Sequence, residues 1–254
     1  MSMDKTRALA EMGIKPVWRL RQPVAAAAPA ETMIDAPAPQ SEVPIEMLIE
    51  LPQTMQPESN APVVSATATL GWEELASTVA SCRACGLCAA RKQAVFGVGD
   101  RQADWMFVGE GPGAEEDQRG EPFVGQAGKL LDAMLEASGL KRGENVYIAN
   151  SVKCRPPGNR TPEADEIAAC RPYLERQIEL VKPKLLIALG RPAAQTLLGR
   201  EMSISSARGK LHRYGDIPVV VTYHPAYLLR NLPDKAKAWV DMCFAADTIA
   251  DLND

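Results

Sequence analysis

Two groups of residues in this 254-residue sequence have the types and spacing to do chemistry. The first is thiols. Cys82, Cys85 and Cys88 repeat at every third position, Cys154 and Cys170 come later with 15 residues between them, and Cys243 stands alone near the end. Two thiolates separated by two residues, plus two distant ones, complete a four-thiolate site for zinc or an iron–sulfur cluster. The bland alternative is core thiols, and Cys170 does fall on the apolar side of its helical period. Spacing alone does not choose between Cys82/Cys85 and Cys85/Cys88 as the near pair. The second group is Glu110, Asn150 and His224, each one or two residues past a short apolar run. Singly, each reads as a cap or loop residue. Jointly they read as one crevice, if the apolar runs are parallel strands.

The elements needed to position them are legible. Trp105 to Val108, Val146 to Ala149, Leu185 to Leu189 and Val219 to Thr222 are apolar runs of buried-strand length. Helical periods lie between them. Ala127, Leu130, Leu131, Met134 and Leu135 share one face, and Gly139 ends that run. Thr161 and Pro162 are the expected cap and first-turn residue of a helix with Ile167, Cys170, Leu174, Ile178 and Val181 inward. Pro192 to Leu198 is a shorter helix stopped by Gly199, and Ala236 to Ile249 closes the domain. Strands alternating with helices imply an α/β fold with a parallel sheet covered on both faces. Ligands then bind beyond the carboxyl ends of the strands. After the first strand, Gly109-Glu110-Gly111-Pro112-Gly113 matches neither glycine-rich nucleotide fingerprint, and Pro112 removes a backbone donor. A tight turn closely approaching a small planar ligand fits better than a phosphate cradle.

Composition bounds the rest. A net charge of -4 gives no overall basic character, so any nucleic-acid contact needs a local patch. No long apolar run suggests a membrane span, and the N-terminus mixes charges with apolar residues, unlike a secretion signal. A cytoplasmic chain is expected, and with it metal or core thiols rather than disulfides. Residues 22–70 are Ala-, Pro- and Glu-rich, carry no basic residue, and are expected to form a disordered linker. Residues 1–21 are basic and hold a short amphipathic pattern around Leu9, Met12, Gly13, Ile14, Val17, Trp18 and Leu20. That pattern resembles the N-terminal peptide of the psi subunit of bacterial clamp loaders. The resemblance implies a peptide that docks on a replication or repair partner, against the alternative of a mobile end.

Over about residues 72 to 245, VFGVG, GEGPGAEED, GEPFVGQAGKLL, YIANSVKCRPPGNRTP and HPAYLLRN occur in order. Together they resemble the family 4 uracil-DNA glycosylases, the iron–sulfur type. The resemblance implies a three-layer α/β/α sandwich around a four-stranded parallel sheet. It also implies a [4Fe-4S] cluster on Cys82, Cys85, Cys154 and Cys170, with Cys88 spare, and excision of uracil from a flipped-out deoxyuridine. By motif position, Phe123 stacks on the base, Asn150 reads its edge, and Glu116 excludes thymine by bulk. Gly111 lies where some superfamily members carry a catalytic aspartate, which argues against a strict general base here. Glu110 is then the candidate for holding water or stabilising the sugar cation, with Asn159 as an alternative water-positioning group. His224 steadies the uracil anion. Leu228, with Leu229 next, is the candidate wedge for the gap left in the stack. Arg155, Arg160 and Arg230 are expected phosphate contacts. The cluster is expected to be structural, since hydrolysis needs no redox step, and the protein is expected to be a monomer.

Three other readings compete. A uracil-binding relative that crosslinks to its product carries an Arg-Arg-Ile-His signature, which Ser205 to His212 lacks. A non-catalytic accessory protein of replication leaves the joint presence of Glu110, Phe123, Asn150 and His224 without a purpose. An electron-transfer protein usually clusters its cysteines more closely.

Overall fold

The computed structural model describes residues 67–252. The expected docking peptide and residues 22–66 of the expected linker lie outside the described residues. The last four linker residues do not behave as linker. Thr67 is buried, and the Leu70 carbonyl accepts from Arg176 Nε at 2.8 Å. Leu70 also packs beside the cysteines, an apolar contact that composition does not reveal.

The sheet has six strands: β1 (Val98–Gly99), β2 (Trp105–Gly109), β3 (Val146–Asn150), β4 (Leu185–Leu189), β5 (Leu211–Tyr214) and β6 (Ile217–Thr222), in the order β1-β3-β2-β4-β6-β5. The four expected strands form the parallel centre, with Trp105 opposite both Val146 and Leu185, and Leu186 opposite Val219. Two short antiparallel edges, β1 on β3 and β5 on β6, extend the expected four-stranded sheet to six.

Every residue of β2, β3 and β4 is buried because helices cover both faces. Side chains alternate between the faces. Met106, Val108, Leu186, Ala188, Val219 and Val221 pack under α4 (Ala164–Val181) and α5 (Arg191–Leu198), with Ala207 of the short α6 (Ile204–Ala207) in the same cluster. Phe107, Ile148, Leu185, Ile187 and Val220 pack under α3 (Gln126–Ala137) and α8 (Lys235–Asp251). This is the three-layer sandwich. A third apolar cluster joins Leu75 and Val79 of α1 (Trp72–Ser81) to Val152, Cys154, Cys170 and Tyr173.

One helix start differs from expectation. α4 begins at Ala164 with Glu163 as its N-cap, not at Thr161 and Pro162. The Glu166 carboxylate reaches back to the Glu163 N–H at 2.8 Å, satisfying an end donor. Thr161 instead lines the cleft beside Glu110, close enough to lower its carboxyl pKa.

Candidate active site

The carboxyl ends of β2, β3, β4 and β6 open on one cleft of about 560 Å³, and the loops beyond them form its walls. Glu110, Gly111, Glu116, Phe123, Asn150, Asn159, Arg160, His224 and Arg230 all line it. Position past the apolar runs put Glu110, Asn150 and His224 at this edge, the motif resemblance implied the others, and the structure brings all of them around one space.

Asn150 ends β3, and its Oδ1 is buried with no hydrogen-bond partner among the described residues. Such an atom normally costs on the order of 1–3 kcal/mol, so an acceptor left open in a cleft marks a ligand-reading position. The neighbouring strand makes room for it. A Cβ on Gly109 would lie 2.4 Å from Asn150 Oδ1 and 2.6 Å from Phe123 Cζ, so only glycine fits there. The same contact fixes amide and phenyl side by side. The Phe123 and His224 rings lie 5.5 Å apart, tilted by 31°. Amide, phenyl and imidazole are therefore within reach of a single small planar ring.

His224 caps α7 (Pro225–Arg230), and its Nδ1 accepts from the Ala226 N–H at 3.1 Å. That bond assigns Nδ1 as acceptor and leaves Nε2–H as the donor of a neutral imidazole. Enclosure by the cleft walls, with Arg230 repelling added charge, lowers its pKa to about 4. The ring is thus neutral at neutral pH. The Glu110 carboxyl moves the other way. Burial raises its pKa, opposed by the Thr161 hydrogen bond and the charge of Arg191.

Glu116 belongs to α2 (Ala114–Arg119) and borders the cleft in a fixed position. One carboxylate oxygen accepts from the N–H groups of Val124 and Gly125 at 2.9 and 3.0 Å, the other from Gly113 at 3.1 Å. Sequence reasoning gave it bulk alone; it is also the brace of the Phe123 loop.

The basic residues sort differently from expectation. Arg160 forks onto Glu166 at 2.8 and 2.6 Å, so it is spent on α4 rather than presented as a free cation. Arg155 Nε donates to Asn159 Oδ1 at 2.7 Å, which fixes these two atoms on each other and leaves the Arg155 terminal nitrogens and the Asn159 NH₂ outside that bond. Arg230 is exposed at the cleft rim. Arg191, absent from the expected set, is exposed there too and close enough to Glu110 to lower its pKa. Its signal was available: Gly190-Arg191-Pro192 directly succeeds the third apolar run. The wedge assignment also changes. Leu228 is 1% exposed and lines an apolar groove with α3 and α8, whereas its neighbour Leu229 is 41% exposed. A buried leucine cannot enter a base stack, so Leu229 replaces Leu228 as the candidate.

On the far side of the Asn150 loop, Cys82, Cys85, Cys88, Cys154 and Cys170 line one small cavity. Cys243 is exposed and elsewhere. Among the described residues no three acidic, histidine or cysteine groups close around a single-ion position. A four-iron cluster makes no such demand, because each thiolate bonds a different corner of the cube. The surroundings suit it. Lys153 N–H donates to Cys170 Sγ at 3.2 Å, and Arg91 Nη1 donates to Cys154 Sγ at 2.8 Å. N–H donors and nearby cations stabilise an anionic sulfur set. Burial raises the Cys85 and Cys154 thiol pKa values and pushes Cys170 up to about 12, so a metal or cluster binding there would have to displace protons. Lys153 connects the two sites. Its buried Nζ donates to the Asn150 carbonyl at 2.9 Å and to Gln177 Oε1 at 2.5 Å.

A cleft that groups an open amide, a phenyl and a neutral imidazole suits a nucleobase, and comparison with known proteins agrees. The family model of the uracil DNA glycosylase superfamily matches residues 96–246. A type-4 uracil-DNA glycosylase of Thermotoga maritima is 47% identical over 161 residues, covering 63% of this chain and 83% of that protein. Type-4 enzymes of Saccharolobus solfataricus and Archaeoglobus fulgidus are 50% and 44% identical, covering 63% and 62% of this chain and 77% and 82% of theirs. The chain belongs to the type-4 uracil-DNA glycosylases. Type-4 uracil-DNA glycosylases are hydrolases acting on N-glycosyl bonds, and uracil excision in DNA repair is the activity of this chain. No described helix is long and apolar enough to cross a membrane.

Proposed function

We propose that this chain carries out that excision by gripping a flipped-out deoxyuridine in the cleft and steadying the departing base as an anion. The open Asn150 Oδ1 carries the reading. Uracil N3–H donates to that oxygen while the amide NH₂ donates to uracil O4. Cytosine presents the opposite pattern at both positions, which would leave buried groups unpaired at roughly 1–3 kcal/mol each. Phe123 stacks on the base. The braced Glu116 carboxylate stands where a C5 methyl would intrude, so thymine is excluded.

Cleavage moves the C1′–N1 bonding pair onto uracil. Negative charge develops at O2, where neutral His224 donates from Nε2, a type of contact whose loss commonly costs on the order of 100-fold or more in rate. Ionised Glu110 faces the sugar, stabilises its positive charge and holds the water that adds at C1′. The water's second proton passes to solvent, the uracil anion takes up a proton from solvent, and abasic DNA and uracil leave. Leu229 fills the vacated stack, and Arg191 and Arg230 contact phosphates.

Cys82, Cys85, Cys154 and Cys170 are the residues that would hold a [4Fe-4S] cluster. The cluster would supply a cross-link between α1, the Asn150–Pro162 loop and α4, and no redox step. Residues 1–21 are proposed to dock on a clamp loader or related replication protein. A pull-down with that peptide tests this, and recovery of no replication or repair protein would refute it. The protein is proposed to act as a cytoplasmic monomer.

Strand cleavage by alkali after incubation with a uracil-containing oligonucleotide tests the activity. Cluster-loaded wild type should leave alkali-labile sites, His224→Ala should slow their formation about 100-fold or more, and Asn150→Asp should lose discrimination against cytosine. An intact strand with the wild type would sink the reading.

A further inference from the structure

Two non-glycine residues lining the cleft have backbone in the left-handed region, Asn159 at φ 56° and Phe123 at φ 55°. Asparagine tolerates that conformation, whereas a bulky aromatic residue is strained there. Something must hold Phe123 in place. The two peptide units after it are braced by Glu116. The units before and at Phe123 are held from the opposite side by Arg142. Its Nη1 donates to the Pro122 carbonyl at 3.0 Å and its Nη2 to the Phe123 carbonyl at 2.8 Å. The fork is itself aimed by Asp132 of α3, whose Oδ1 accepts from Arg142 Nε at 2.8 Å. α3 also packs directly on this backbone: a Cβ on Gly128 would lie 1.8 Å from the Phe123 carbonyl oxygen. Arg142 is not among the residues lining the cleft, and no role in the proposed chemistry accounts for it.

We propose that Arg142, oriented by Asp132, is a positioning residue that locks Phe123 in its strained conformation so that the ring is preset to stack on the extruded base. This rests on the reading of Phe123 as the stacking platform. A guanidinium suits the task because its planar fork binds two carbonyls at fixed spacing, which a lysine ammonium cannot do. Binding then costs less, because the platform is ordered before the base arrives. Arg142 acts through Phe123 alone, and this separates the proposal from a general stapling role for the loop.

The test is a double-mutant cycle on the full-length, cluster-loaded protein. Arg142→Met should lower kcat/KM for a uracil oligonucleotide about 10-fold, mostly through KM, and weaken inhibition by free uracil to a similar degree. In a Phe123→Ala background the same substitution should change kcat/KM less than about 3-fold. Asp132→Asn, which loosens the fork without removing it, should give a smaller loss that also vanishes in that background. Arg142→Lys should recover little. Thermal unfolding midpoints and iron content fix an assay temperature at which all variants are folded. Wild-type kcat/KM in Arg142→Met, or an equal penalty with and without Phe123, overturns the positioning role. Full activity of Phe123→Ala alone would instead overturn the stacking reading on which it rests.

Discussion

Glu110 and His224 carry pKa shifts in opposite directions for the same physical reason, burial of the charged form. The proposed chemistry needs a carboxylate and a neutral imidazole, so both requirements are met on the alkaline side of their titrations. His224, at about 4, is neutral throughout the neutral range and contributes no rate change near its ordinary value of 6.5. Glu110 protonates as pH falls through a value raised above 4.5, and activity falls with it. Single-turnover rates should therefore be flat across neutral pH and decline on the acid side. Glu110→Gln should be slow and should lack the Glu110 part of that decline. The sign for stability is reversed. A carboxyl whose folded pKa is raised binds protons more tightly when folded, so its ionisation disfavours the folded state at neutral pH. Glu110→Gln should thus raise the thermal midpoint while lowering activity. A rate profile with its midpoint near 6.5, retained in Glu110→Gln, would transfer the controlling group to His224.

The central strands and most of the site were legible in sequence because parallel strands buried on both faces read as unbroken apolar runs, and the residues just past each run must sit at one edge. The edge strands were not. β1 is two residues long, and β5 alternates exposed and half-buried positions, so neither produces such a run. Arg160 could not be sorted from Arg191 and Arg230 by sequence, since its ion pair depends on how α4 begins. Leu228 and Leu229 posed a similar difficulty. α7 has six residues, too few for its helical period to say which leucine faces inward. The packing settles it and separates two outcomes. Leu228→Ala removes a buried side chain and should destabilise the fold by about 2–5 kcal/mol. Leu229→Ala should leave the unfolding midpoint close to that of wild type and slow excision from double-stranded DNA more than from single-stranded DNA, because only a duplex has a gap to fill. The checks are denaturant titration for the first and paired single- and double-strand assays for the second. Equal losses on both substrates in Leu229→Ala would remove the wedge role.

At the scale of the whole molecule, the cysteine site and the cleft share the segment from Asn150 to Pro162. Cys154 anchors it on one side, while Asn150 and Thr161, which lines the cleft beside Glu110, belong to the other. α1 meets the sheet through Trp72, which packs on Tyr147, and the thiols lie where a second link would tie α1 to this segment and α4. The proposed cluster is then a fold-stabilising cross-link whose loss reaches the active site through geometry rather than through electron transfer. Cys170→Ser should lower iron content and visible absorbance together, and lower the unfolding midpoint by several degrees. Its excision rate should fall more steeply with temperature than that of wild type, as the segment loosens and Asn150 and Thr161 move away from the cleft. Poising the intact protein at oxidising or mildly reducing potentials that leave the cluster assembled should leave the rate unchanged. A rate that tracks potential while iron content and midpoint stay constant would overturn the structural assignment and make the cluster a switch.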